Sequence, residues 1–286
     1  MVDASNLPLF LAAVLPALGY LIMIYMMGRS MVNWKSAIVF VIFGCFSITF
    51  LQYGLHFIFP TISDYIFTNQ DTPVYDLVSM HILYPPTMYS MLFLCFVQIA
   101  LKEELAKMGA FFLAALPRRH KTRKEKDSLF AIMFYSCCVS VGFAIIENIH
   151  YAQQWLETET WESAQYMLMQ RSVFAVLSHM IAGLIMGYGL AMASISRGFN
   201  KVFFLIIPTT IAILYHGYYG FLFMTSGAND FMLIGPVNVH IQASTIMLIS
   251  LFFTFLLGST LRRYSLRYDK VLRKKEKQAL ARKRAQ

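Results

Sequence analysis

Met91-Leu-Phe-Leu-Cys-Phe-Val-Gln-Ile-Ala-Leu-Lys102-Glu103-Glu104-Leu-Ala-Lys107-Met-Gly-Ala-Phe-Phe-Leu-Ala-Ala-Leu116 sets two adjacent carboxylates and two ammonium groups inside a run that is otherwise almost wholly apolar. A stretch of this length can cross the hydrocarbon core as a helix. Ionisable side chains in lipid are costly, so a pair of them marks a functional position by default. Glu103 and Lys107 are one turn apart and can pair on one face. Glu104 is rotated about 100° from Glu103, which frees it for a different neighbour. One Lys cannot cheaply neutralise two acids, so a purely structural ion pair is an incomplete account of the stretch.

The rest of the chain has the same character. Of 286 residues, 58% are hydrophobic and only 14% charged, against about 25% charged in soluble domains. Mean hydropathy is +0.56. The implied fold class is all-α, a polytopic helical membrane protein. Seven transmembrane helices are predicted near residues 7–28, 36–59, 88–116, 128–151, 165–194, 201–225 and 241–261. Residues 7–28 lack a basic leader and a small-residue cleavage site, and are read as a retained span. Pro85-Pro86 cannot continue a helix, so the segment 76–86 is expected to be re-entrant or to lie along the outer surface. The four cysteines, Cys45, Cys95, Cys137 and Cys138, sit in apolar segments without metal-ligand spacing and read as packing residues.

A net charge of +9 could suggest nucleic acid, but the distribution argues against it. All but three of the 24 Lys and Arg residues lie in four segments: 29–35, 117–127, 197–201 and the tail from Arg262. The alternate loops, 60–77, 152–164 and 226–240, carry none. This is the positive-inside pattern. It puts the N-terminus outside and the C-terminus in the cytosol, with the basic tail (262–286) against anionic lipid. The three cations left over are Lys102, Lys107 and Arg171, all within predicted spans.

Further polar landmarks follow on the next three helices. One carries Gly142-Phe-Ala-Ile-Ile-Glu147-Asn148-Ile-His150-Tyr151, the next Arg171 and His179 followed by Gly183 and Gly187, and the third His216-Gly217. At 1.5 Å per residue, Glu103 and His216 lie about 21 and 22 Å above the cytosolic helix ends, and His179 and Glu147 about 27 and 29 Å. All four fall in one band, as a single site requires. Gly183 and Gly187, at steps of four from His179, would let another helix approach that face closely.

Two hydrolytic arrangements fit acids and imidazoles gathered in this way. Glu104, Glu147, His179 and His216 could ligate a divalent metal, zinc being the best match, with a position open for water. Alternatively Glu103 or Glu104 could act directly as general base towards water, with no metal, while a His stabilises the oxyanion. There is no HExxH and no GxSxG, which disfavours zincin-type proteases and α/β-hydrolases. Paired intramembrane Asp residues are also lacking.

The ordered set Glu103-Glu104-Leu-Ala-Lys107, Glu147-Asn148-Ile-His-Tyr151, His179 with Gly183, and His216-Gly resembles the PrsW intramembrane proteases. These are distant relatives of the CAAX-processing proteases and of the APH subunit of γ-secretase. The resemblance covers about residues 88–225, taken as the catalytic core of one transmembrane domain over 1–261. It implies cleavage of membrane-protein or peptide substrates, an anti-sigma factor being the best-known kind, while the basic inner side fits a bacterial plasma membrane. It also implies that Glu103 or Glu104 supplies the base or a ligand, and that Glu147, His179 and His216 complete the centre. Asn148, Lys107, Tyr151 and Arg171 are supporting candidates. Related sequences often place Asn four residues after the last His, where this chain has Gly220, so Asn148 or a backbone group would have to donate to the oxyanion.

Rival readings rest on fewer residues. A transporter or proton relay would also use buried acids and imidazoles, yet the two halves show no internal repeat. Glu147-x-x-His150 is half of a di-iron carboxylate pattern, and a second copy is missing. A non-catalytic scaffold is consistent with the APH relationship and with Gly220. Arg171 could snorkel or pair with Glu147, and Tyr151 could bond Glu147 or join the interfacial aromatic belt.

Overall fold

The computed structural model describes residues 7–49, 92–116, 127–158, 160–225 and 239–284. Within them all regular structure is helical: α1 (Leu7–Gly28), α2 (Trp34–Thr49), α3 (92–116), α4 (Leu129–Thr158), α5 (Trp161–Ile195), α6 (Phe199–Thr225) and α7 (Val239–Arg284). Five helices, α1 and α4 to α7, are long and apolar enough to cross a membrane. The described part of α2 is a shorter apolar helix of 16 residues. In α3 the apolar run is interrupted by Lys102, Glu103, Glu104 and Lys107. The predicted re-entrant segment 76–86, with His81, lies outside the described residues, as do Gln52 and His56.

α4 is the axis of the bundle. Buried side chains make up 89% of its apolar window, against 28% for α1 and 22% for α7. Its neighbours approach through glycine. A Cβ on Gly44 of α2 would stand 2.1 Å from the Val139 carbonyl oxygen of α4, and one on Gly142 of α4 would stand 2.1 Å from the Val41 carbonyl oxygen of α2. Each helix therefore presses its backbone against the other's glycine, a contact no side chain could share. The Gly183/Gly187 face of α5 meets α4 in the same manner, against Ser140, Ser136 and Met133.

The ends pack in the order that an up-and-down bundle demands. Leu9 and Ala13, early in α1, share a small core with Ala152 late in α4 and Leu168 early in α5. At the opposite end, Gly28 closing α1 lies against the Phe130 ring at the start of α4. Outward faces are strongly apolar: Ile22, Phe46, Phe252 and Leu248 are each 60% exposed or more. Glu103, Glu104, Lys107, Asn148, His179 and His216 turn inward instead, which is the inverse of a soluble domain and what lipid requires.

Two local features depart from the sequence reading. α4 and α5 both extend past their predicted outer ends, to Thr158 and back to Trp161, where the Thr160 hydroxyl caps α5 by accepting from the Ser163 amide at 3.3 Å. α3 is π-helical over Leu94–Leu101 before it becomes α-helical over Lys102–Ala115. Wide turns of this kind are frequent beside functional sites, and this one ends at the residue before Lys102.

Candidate active site

α3 to α6 bring every one of the predicted site residues into one connected cluster. Glu103, Glu104, Lys107, Asn148, His179 and His216 are all buried. The centre is Lys107, whose ammonium donates to Glu104 Oε1 at 2.7 Å and to His179 Nδ1 at 2.8 Å, with Glu103 Oε2 at 3.7 Å. The ring of Phe143 lies beneath it, 4.3 Å from Nζ to centroid, a cation–π contact in a dry interior. Lys102, next to the acids, turns away and bonds Gln98.

Hydrogen-bond logic fixes the imidazole tautomers. An ammonium has no acceptor, so His179 Nδ1 must accept from Lys107 and its proton resides on Nε2. That N–H donates to Glu147 Oε2 at 2.8 Å. His216 Nδ1 donates to Glu104 Oε1 at 2.8 Å, which leaves its Nε2 lone pair 3.8 Å from Glu103 Oε2. Both rings are thus held through one nitrogen by a carboxylate, and they meet edge to face with centroids 4.7 Å apart.

Glu147 is itself held. Arg171 donates through Nη2 to Glu147 Oε2 at 3.0 Å and through Nε to Asn148 Oδ1 at 3.1 Å. Its guanidinium stacks 3.6 Å over the Tyr151 ring. Arg171 therefore pairs with Glu147 rather than snorkelling, and Tyr151 serves as its platform. Because Arg171 holds Oδ1, the Asn148 amide nitrogen is left as a buried donor without a hydrogen-bond partner.

Lys107 pairs with Glu103, as the spacing predicts, and also takes Glu104, which in addition reaches the separate neighbour His216. The short Lys107 contact goes to Glu104, three residues earlier, and the longer one to Glu103, four residues earlier. Both spacings place side chains side by side on a helix. The more deeply buried acid takes the cation, since Glu104 has no exposed side-chain surface whereas 11% of the Glu103 side chain is accessible.

The residues that could hold a metal regroup accordingly. Among the described residues, Glu103, His179 and His216 each offer an atom within 4.8 Å of the others. Glu104 and Glu147, expected as ligands, instead grip the far nitrogens of His216 and His179, where carboxylates commonly orient metal-binding imidazoles. His150 joins no such group among the described residues, so the di-iron pattern has no counterpart there. Phe143 was overlooked as a site residue. Its spacing, one turn before Glu147, was the available signal.

The family model described as "PrsW family intramembrane metalloprotease" matches residues 32–257. This chain belongs to the PrsW family. Curated relatives carry the name Protease PrsW. The one from Oceanobacillus iheyensis is 35% identical over 139 residues, covering 49% of this chain and 57% of that protein. Those from Clostridioides difficile and Bacillus subtilis are each 27% identical, over 135 and 130 residues, or 53% and 54% of their lengths. The chain thus spans little more than half the length of the PrsW relatives it matches. No solved structure matches it.

A metal, as the PrsW family description implies, fits these residues. The donor set is one carboxylate and two imidazoles, common for catalytic zinc. Glu103 Oε2 is buried with no hydrogen-bond partner. It stands 3.8 Å from His216 Nε2 and 4.0 Å from His179 Nδ1, somewhat wider than the roughly 3.3 Å between ligands bonded at zinc distances. The cluster also holds one carboxylate more than its cations, counting Glu103, Glu104 and Glu147 against Lys107 and Arg171.

Proposed function

We propose that the protein is an intramembrane peptidase that hydrolyses peptide bonds of membrane-associated proteins at the Glu103/His179/His216 centre. The observation that carries this reading is the convergence of Glu103 Oε2, His179 Nδ1 and His216 Nε2, from three separate helices, in one buried cluster. Peptide hydrolysis needs water deprotonated and a developing oxyanion stabilised. In the metal-free route Glu103 is the base: the water oxygen bonds the carbonyl carbon while its proton passes to Glu103, which returns it to the departing amine. In the metal route His179, His216 and Glu103 would instead hold the ion, which when bound makes water a nucleophile at neutral pH.

Other side chains tune these groups. Glu104 and Glu147 fix the tautomers of His216 and His179, so that each ring presents a lone pair to the centre. Arg171 anchors Glu147. The Asn148 amide is the side-chain donor suited to the oxyanion, being buried and free on its NH₂ side, and would supply what an Asn at Gly220 would otherwise give.

The wider arrangement follows the same reading. Seven spans with the start of α1 outside and α7 ending in the cytosol place the centre in the outer half of a bacterial plasma membrane. The catalytic core is about 88–225 within a transmembrane domain over 1–261, and the basic segment from Arg262 rests on anionic lipid. The substrate class is single-span membrane proteins, anti-sigma factors included. The bacterial origin of the named relatives and the charge alternation of the loops support this placement.

The deciding experiment offers single-span membrane proteins to purified wild type, Glu103→Gln and His216→Ala, before and after metal stripping. Cleavage by wild type alone is expected, lost on stripping and restored by zinc. Cleavage that survives stripping would assign the reaction to Glu103 without metal. Cleavage retained by both variants would overturn the site.

A further inference from the structure

We infer that Lys107 is the exchangeable cation of this site: its ammonium and a divalent metal compete for His179 Nδ1, and metal entry turns Lys107 onto Glu104. This rests on the metal reading above and goes beyond it, since an ordinary ion pair would be indifferent to metal.

The argument begins with a lone pair that has two claimants. Glu147 holds His179 Nε2, so Nδ1 is the only atom His179 can offer to a metal, and Nδ1 already accepts from Lys107 at 2.8 Å. One lone pair serves one partner. A second observation comes from oxygen atoms without partners. Glu103 Oε2 and Glu104 Oε2 are both buried and lack hydrogen bonds. One exchange would satisfy both: the metal takes Glu103, and the ammonium released from His179 donates to the second oxygen of Glu104, whose first it already bonds. The third observation is the Phe143 ring, 4.3 Å from Nζ, which can stabilise the cation in either position. Side chain and metal thus alternate as counter-ions, and the buried acids are never left without one. Such a device keeps the fold intact when metal is absent and weakens metal affinity, because two cations would stand beside the same buried carboxylates.

The test is cobalt(II) titration of purified full-length protein in detergent, read from visible absorption, with thermal unfolding alongside. Lys107→Met removes the ammonium and keeps the chain length. It is expected to bind cobalt about tenfold or more tightly than wild type, and to gain more thermal stability from cobalt than wild type does. Lys107→Met/Glu104→Gln removes one charge of each sign, guarding against simple unfolding of the single variant, and is also expected to bind more tightly than wild type. Addition of His216→Ala should abolish the gain. Equal or weaker binding by both variants overturns the inference. If wild type binds and the variants bind no better, the exchange fails while the metal peptidase stands. If only the variants bind, Lys107 excludes the metal rather than exchanging with it, and the exchange and the wild-type metal reading both fail. If none binds, both fail.

Discussion

Glu103 and Glu104 are adjacent in the chain and separated in role by their partners. Glu104 is tied to Lys107 and to His216 through the same oxygen, whereas the nearest ion-pair approach of Glu103 is 3.7 Å, to Lys107. Substituting them should therefore have different consequences. Glu103→Gln is expected to lower cleavage by about 10²-fold or more, as loss of a general base does, with a melting temperature close to wild type. Glu104→Gln leaves the buried ammonium of Lys107 without its closest counter-charge, which costs about 3–5 kcal/mol in comparable pairs. Its loss of activity should be accompanied by a clearly lowered melting temperature. Arg171→Lys makes a further test: a single ammonium cannot reach Glu147 and Asn148 with a planar fork. A roughly tenfold fall in kcat with little change in stability is expected, and Arg171→Leu should be worse on both measures. Sequence reasoning found all of these residues because charge inside an apolar run is conspicuous. Which acid takes the lysine was not readable, since spacings of three and four are equivalent on a helix and the choice is made by His179 and His216, more than seventy residues away.

At the level of elements, glycine decides where helices touch. α2 and α4 cross with Gly44 against Val139 and Gly142 against Val41, backbone on backbone. Glu147 follows Gly142 by little more than one turn, so this crossing also sets the height of the acid that orients His179. Gly142→Leu must push the two helices apart. A loss of about 1–3 kcal/mol, the usual range for overpacking, is expected in thermal unfolding, with cleavage falling further than stability alone explains. Gly109→Ala is the control: a Cβ there meets nothing within 4 Å, and removing a helix glycine should be neutral or stabilise by about 0.5–1 kcal/mol. The helices themselves were legible from length and hydropathy, and Gly183 and Gly187 announced a close neighbour. The π-helical stretch Leu94–Leu101 was not. Its residues are ordinary helix formers in lipid, and the wide turns are recorded only in the backbone that packs beside α6, where Gly217 lies against Phe96.

Across the whole molecule, the charge pattern bears on direction and the packing on which helix ends lie together. Charge alternation assigns the basic loops to one side of the membrane. Packing puts the start of α1, the end of α4 and the start of α5 at a common end, through Leu9, Ala13, Ala152 and Leu168. On the proposed orientation α1 and α5 run inward and α4 outward, with Glu162 outside and Arg197 in the cytosol. Both side chains are exposed, so each can carry a reporter without disturbing the core. In a background with the four native cysteines replaced, Glu162→Cys is expected to react with a membrane-impermeant maleimide in intact cells. Arg197→Cys should react only after the cells are opened. The reverse pattern would turn the centre toward the cytosolic half of the bilayer. It would also transfer the cleavage site from the outer to the inner end of a substrate span, because the catalytic groups are fixed to the same helices as the two reporters.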